Sequence, residues 1–272
     1  MSLALYLMLL APLGQVPTEQ AEASKASLER IVKDLSAFEV SMAVKPPRKL
    51  SLSGEPALRW NYPIRNVDDA ALFVWLGKGR PEVVTTVMSY HDNAGNPRRA
   101  YEFLSISQEP LEALQNGTRV WRPEEAGFKW SAISKAPVPG RTLAERRRQM
   151  HELATKFQAA VQSDKNRYEL RLLSKPLYRY QSAESDILDG CLFAFVEGTD
   201  PELILALESA ADKPGWKFAT GRLTRYQIKV QFDNELVSEF PEMTGEGGLS
   251  DVYRIPEAGP LDPVSSKPPK EN

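Results

Sequence analysis

The sequence predicts an α+β fold, internally duplicated, each half one helix followed by an antiparallel β-meander. Three observations lead there. At an offset of 120 positions, Ala57–Tyr90 lies without a gap on Leu177–Ala210. Arg59 then falls on Arg179, Asp69 on Asp189, Leu72-Phe73 on Leu192-Phe193, Pro81-Glu82 on Pro201-Glu202 and Ser89 on Ser209. Those seven identities compare with roughly two for unrelated segments of ordinary composition. Second, a pattern of helical period precedes the shared segment in each half. Third, short strand patterns separated by turn residues follow it, as in antiparallel sheet.

In chain order, Leu28, Ile31, Val32 and Leu35 recur at helical spacing with Glu29, Arg30, Lys33 and Asp34 between them, so 27–37 reads as an amphipathic helix. The period then drops to two. Phe38, Val40, Met42 and Val44 alternate with Glu39, Ser41 and Ala43 until Pro46-Pro47 stops the strand. Leu58–Tyr62 is a short extended piece, and Ala71–Leu76 (ALFVWL) is apolar throughout, a central strand covered on both faces. Glu82–Tyr90 is rich in β-branched residues and His91–Pro97 (HDNAGNP) is a turn cluster, so 82–107 reads as a hairpin. Thr118–Arg122 and Phe128–Ser134 are weaker strand patterns, and Ala136–Gly140 (APVPG) is a proline-rich linker.

The second half repeats the order. Thr142-Leu143-Ala144-Glu145 is a capping box. Its helix is expected to run to about Gln162, with Leu143, Met150, Leu153, Ala154, Phe157 and Val161 on one face. Tyr168–Leu173, Leu177–Tyr180, Cys191–Val196, Glu202–Glu208, Trp216–Thr220, Tyr226–Phe232 and Glu235–Phe240 read as strands. Glycine and then proline dominate from Gly245. The expected organisation is a signal peptide over 1–23, α+β units over 24–135 and 142–244, a linker at 136–141, and a disordered tail over 245–272.

The signal-peptide reading rests on Ser2–Leu13 (SLALYLMLLAPL), an apolar run too short to span a bilayer comfortably. Ala21-Glu22-Ala23 follows as a small-x-small site before Ser24, although no Lys or Arg precedes the run. Export to the periplasm, cell surface or medium is the expectation, with no transmembrane span in the mature chain. A net charge of −2 over 272 residues gives no bulk attraction to nucleic acid. The single cysteine, Cys191, excludes an intrachain disulfide and sits in an apolar run, where it reads as a small buried hydrophobe.

The charged residues that recur are Arg59 and Arg179, Asp69 and Asp189, and Glu82 and Glu202. A functional reading sets Asp69 and Asp189 in a symmetric cleft as the acid–base pair of a carboxylate-dependent hydrolase. The structural reading weighs more: each acid marks a strand entrance or turn, and each arginine crosses to a carboxylate of its own unit. Trp60 and Tyr180, with Trp75, offer an aromatic platform, although aromatics in apolar runs are usually core. Arg59, Arg179, Trp60 and Tyr180 are thus the expected binding or structural pairs. Arg146-Arg147-Arg148 fans around a helix, with one arginine expected to meet an acid. Neither His91 nor His151 has a partner at metal spacing, and no HExxH or nucleophile elbow is present. No metal or cofactor is expected.

The segments LRW…ALFVWLGKGRPE, RRRQM and LRLLSKPLYRY…LDGCLFAFVEGTDPELIL resemble a family of exported bacterial proteins with no assigned activity. That resemblance spans most of 30–235 and implies export, but no functional residue. VKPPRKLSLSGEPALRWNYP is more faintly similar to the P-x-x-L-R-W-x-Y-x-P pattern of periplasmic lipoprotein carriers. It implies a half-barrel able to hold an acyl chain. The expected function is an exported, non-catalytic binding or interaction module with a protein, lipid or saccharide partner. The alternative is a periplasmic carrier of a hydrophobic ligand or lipoprotein, and the third reading is the hydrolase.

Overall fold

The computed structural model describes residues 19–163, 166–212 and 215–256. The apolar run Ser2–Leu13 and most of the expected tail lie outside the described residues. The first unit opens with α1 (Glu19–Leu35), which buries Ile31 and Leu35 and leaves Glu29, Arg30 and Lys33 in solvent. There follow β1 (Phe38–Met42), β2 (Arg48–Lys49), β3 (Ser51–Leu52), β4 (Leu58–Tyr62), a 3-10 turn at Pro63–Arg65 and β5 (Val67–Gly77). The unit ends with β6 (Arg80–His91), β7 (Pro97–Ser105), β8 (Leu111–Gln115) and β9 (Thr118–Trp121).

After β10 (Ser131–Ala132), the second unit runs through α2 (Leu143–Ala154), β11 (Phe157–Ser163), β12 (Asn166–Leu172), β13 (Tyr178–Ser182) and β14 (Ile187–Glu197). It continues with β15 (Asp200–Ala210), β16 (Lys217–Arg222), β17 (Gln227–Phe232) and β18 (Glu235–Phe240), and β19 (Tyr253–Arg254) comes last.

The α+β class expected from the sequence is corrected here: the chain is mostly β, 51% strand against 13% helix, in large antiparallel sheets. One cause is the stretch after Ala154. Phe157, Ala159 and Val161 suit a helical face through Phe157 and Val161, but they also alternate, and alternation prevails. The helix stops at the Thr155 cap, and 157–163 becomes a strand between β12 and β17. A second cause is topology. The sheets are not simple meanders, because β1 pairs with β8 and β11 with β17, long-range pairings that no local pattern announces.

The pairings of the second unit repeat those of the first. Trp60 faces Ala70 and Asp69 faces Ser89; Tyr180 faces Gly190 and Asp189 faces Ser209. Register shifts fall at the same places, ahead of Asp69 and of Asp189. Val40 faces Ala113 as Ala159 faces Val230. The units differ where β2 and β3 break the strand that β12 keeps whole, so the first unit has two sheets where the second has one.

Alternation along the central strands builds the layers. On β5, Ala71, Phe73 and Trp75 pack in a core with Ile31 and Leu35 of α1, whereas Ala70, Leu72 and Val74 point the other way. On β14, Cys191, Phe193 and Phe195 pack with Met150 and Leu153 of α2, and Leu192, Ala194 and Val196 face the first unit. The inner faces meet in one shared core, as two packed sheets do, about 10 Å apart. Each fully buried Leu, Val or Phe there contributes about 1.5–3 kcal/mol.

The units also exchange strands. The segment leaving the first unit supplies β10, which pairs with β16 of the second. The segment leaving the second supplies β19, which pairs with β7 of the first. Residues around 245–256, expected to be disordered, instead form a strap: Tyr253 is buried, the Ser105 amide donates to the Val252 carbonyl at 2.9 Å, and the Trp121 indole donates to the Asp251 carbonyl at 2.8 Å.

Candidate functional site: a cleft between the two units

Asp69 and Asp189 are not brought together. Each lies on the helix-facing side of its own sheet, with both sheets between them. Arg59 grips Asp69 through Nε at 2.9 Å and Nη2 at 2.8 Å, the Ser27 hydroxyl donates to the same carboxylate at 2.5 Å, and Arg59 also donates to the Ser24 carbonyl. Arg179 grips Asp189 at 2.9 and 2.5 Å and donates to the Leu143 carbonyl, while Arg146 Nε adds a contact to Asp189 at 2.8 Å. Both pairs therefore fasten a helix to its sheet, α1 near its middle at Ser24 and Ser27 and α2 at its first residue, Leu143. Such two-point arginine–carboxylate contacts are strong and directional.

Trp60 and Tyr180 both sit in the inter-unit core, and the Tyr180 hydroxyl donates to Glu208 at 2.7 Å. Burial pushes the Cys191 thiol up to about 12, which leaves it protonated and unreactive. Of the basic run, Arg146 is buried on Asp189, while Arg148 stands 3.6 Å from Glu152 on the helix surface.

The recurring pair that does reach the interface is Glu82 and Glu202. Both directly follow a proline near the start of the strand, Pro81 on β6 and Pro201 on β15, and both are buried. Glu202 lines a cleft of about 400 Å3 whose walls come from both units. The first unit supplies Arg65, Met88, Tyr90 and Glu102; the second supplies Asp200, Glu202 and Tyr226. The strap closes one end with Tyr253.

Arg65 is the hub. Leaving the turn at Pro63–Arg65, it donates to Glu202 Oε1 at 2.7 Å, to Asp200 at 3.3 Å and to Glu197, and its guanidinium lies 5.4 Å from the Tyr62 ring centroid. Glu102 sits deeper, held by the Thr86 hydroxyl and by the Tyr253 hydroxyl at 2.5 Å. Among the described residues Glu202 Oε2 is buried without a well-aligned hydrogen-bond donor, the Thr224 hydroxyl standing near the carboxyl and opposing its rise in pKa.

These groups are strongly perturbed. Burial pushes Glu102 up to about 8, with Asp200 and Glu202 adding to the rise and the Thr86 and Tyr253 hydroxyls opposing it. Burial likewise takes Glu202 to about 7 and Asp200 to about 6, each opposed mainly by Arg65. Burial pulls Arg65 down, but its three carboxylate neighbours outweigh that and raise it. The cleft thus carries more carboxyl groups than cations, and burial makes Glu102, Glu202 and Asp200 harder to ionise.

Arg65, Glu102 and Tyr253 were not singled out by the sequence reading. A signal for Glu102 existed: it interrupts the inward series Ala100, Leu104 and Ile106 of an otherwise apolar strand. Among the described residues, no cluster of three or more His, Cys, Asp or Glu is placed to hold a metal ion, and no helix is long and apolar enough to cross a membrane. Comparison with protein-family models, with curated proteins and with solved structures gives no match, so the likeness to exported bacterial proteins finds no support there.

Proposed function

We propose that the protein is an exported, non-catalytic binding module that takes a small ligand in the cleft between its units. One observation supports this most: Glu202 places an unpartnered carboxylate oxygen, almost without solvent contact, on the cleft wall. A buried acceptor left unpaired costs about 1–3 kcal/mol, more when charged, and a ligand donor would remove that cost. Asp69 and Asp189 are tied to the helices through Arg59 and Arg179, and Glu82 to Arg80, so no second recurrent acid lines the cleft, which favours binding over hydrolysis. Native mass spectrometry of the protein purified from its source tests the reading. A discrete added mass on wild type that is absent from Glu202→Gln supports it. Ligand-free masses for both overturn it.

The carrier reading has its own support in the split between β2 and β3. There an apolar groove of about 650 Å3 opens over Leu35, Phe38, Leu50, Leu52 and Trp75. Uptake of a fluorescent fatty acid, abolished by Leu52→Glu, would favour it, and absence of uptake would remove it.

A further inference from the structure

The duplication provides an internal comparison for the cleft. Four of its strand positions have a counterpart in the other unit, fixed by the strand registers. Glu82 corresponds to Glu202 and Arg80 to Asp200; Glu208 corresponds to Met88 and Lys217 to Ala100. The hydrogen bonds agree, since the Ile106 amide donates to the Glu82 carbonyl as the Leu223 amide donates to that of Glu202.

At the counterpart position the charges close on themselves. Arg80 Nε donates to Glu208 Oε1 at 3.0 Å, and Arg80 Nη1 lies 3.4 Å from Glu82 Oε2. Lys217 Nζ stands 3.0 Å from Glu208 Oε2. The Trp130 ring centroid is 4.7 Å from Lys217 Nζ and 5.7 Å from Arg80 Cζ, within cation–π range. Two cations meet two carboxylates against an aromatic ring.

In the cleft the same fold positions hold Asp200 in place of the arginine and Ala100 in place of the lysine. Among the described residues Arg65 alone pairs with Glu197, Asp200 and Glu202, with Glu102 behind them and Arg225 and Glu246 on the exposed rim. Tyr226 supplies the aromatic wall, its centroid 5.9 Å from Arg65 Cζ. The cavity, the unpartnered oxygen of Glu202 and the missing cations coincide.

We propose that the cleft binds a small organic cation, an alkylammonium or guanidinium, seated on Glu202 as Arg80 is seated on Glu82. The inference rests on the cleft reading given above and adds the ligand's chemistry. It is tested by isothermal titration of the protein with 1,4-diaminobutane and methylguanidine, and with 1,4-butanediol and glucose as neutral probes. At least one cation is expected to bind, with affinity lowered about tenfold or more by Glu202→Gln, the loss of one charge-assisted contact. Ala100→Lys, which installs the lysine of the counterpart position and removes no carboxylate, is expected to abolish binding. Circular dichroism melting shows that each variant is folded, and Ala100→Lys serves if Glu202→Gln is not. Binding of a neutral probe alone, dependent on Glu202, would overturn the cation assignment and leave the cleft reading standing. No binding of any probe to folded wild type, or cation binding unchanged in both variants, would overturn the cation assignment; the native mass measurement then decides the cleft reading separately.

Discussion

Arg65 Nη1 stands 2.7 Å from Glu202 Oε1 although 137 positions separate the two residues. The contact joins a turn of the first unit to the central hairpin of the second, and it neutralises part of a buried acidic group. Arg65 also meets Glu197 and Asp200, whereas among the described residues Glu202 has no second cation in ion-pair contact.

Removing the arginine should therefore cost stability in a pH-dependent way. Arg65→Met leaves Glu202 buried without its cation, a defect of about 2 kcal/mol for a partly exposed arginine, below the range for fully buried pairs. The loss is expected to be larger at pH 8, where the wild type gains from an ionised Glu202 on Arg65 that the variant cannot match, and to shrink at pH 6, where Glu202 keeps its proton in both. Urea unfolding at both values checks this; equal losses would contradict it.

The wild-type protein should lose stability as pH rises. Burial raises Asp200 to about 6, Glu82 and Glu202 to about 7 and Glu102 to about 8, from ordinary values of 3.8 and 4.5. The folded state therefore holds more protons than the unfolded chain across that interval. The stabilisation is complete below the unfolded values and is lost as pH climbs through 6 to 8. Calorimetry should give a higher Tm near pH 5 than near pH 8.5, with Glu102→Gln flattening the slope. A rising or level profile would contradict the burial of these groups.

The two helix fasteners should differ in strength. Asp189 is fully buried between Arg146 and Arg179, whereas Asp69 keeps 17% of its side chain exposed beside Arg59. Asp189→Asn is expected to destabilise by about 3 kcal/mol and Asp69→Asn by about 1 kcal/mol. Chemical denaturation of the two variants makes the comparison. Equal losses, or two variants as stable as the wild type, would contradict the fastening role.

Gly190 faces Tyr180 where the first unit sets Ala70 against Trp60. A Cβ on Gly190 would lie 2.5 Å from the Tyr180 ring carbons, so Gly190→Ala must push the ring off Glu208. A cost of about 1–3 kcal/mol is expected from such overpacking, measurable as a lower urea midpoint. An unchanged midpoint would show that the ring can move freely.

Much of the strand order was legible because alternation and turn chemistry are local. Phe38–Met42, the two apolar central strands and the Asp92–Asn96 turn all announce themselves within a few residues. The recurrence of Arg59 with Asp69 pointed to paired use, and the pairs exist. What could not be read was which strand lies beside which. The β1–β8 and β11–β17 pairings, the exchanged β10 and β19, and the meeting of Arg65 with Glu202 depend on chain segments far apart. Tyr253 illustrates the limit: a glycine- and proline-rich composition suggested disorder, yet one tyrosine with a buried carboxyl partner anchors the strap.

The most direct test of the account is a carbon NMR titration of the side-chain carboxyl groups, with Glu102→Gln and Glu202→Gln to assign the two cleft signals. Titration of Glu202 near 7 and of Glu102 near 8 is expected. Titration of every glutamate and aspartate below about 5, as in open solvent, would contradict the buried acidic cleft on which the proposed function rests.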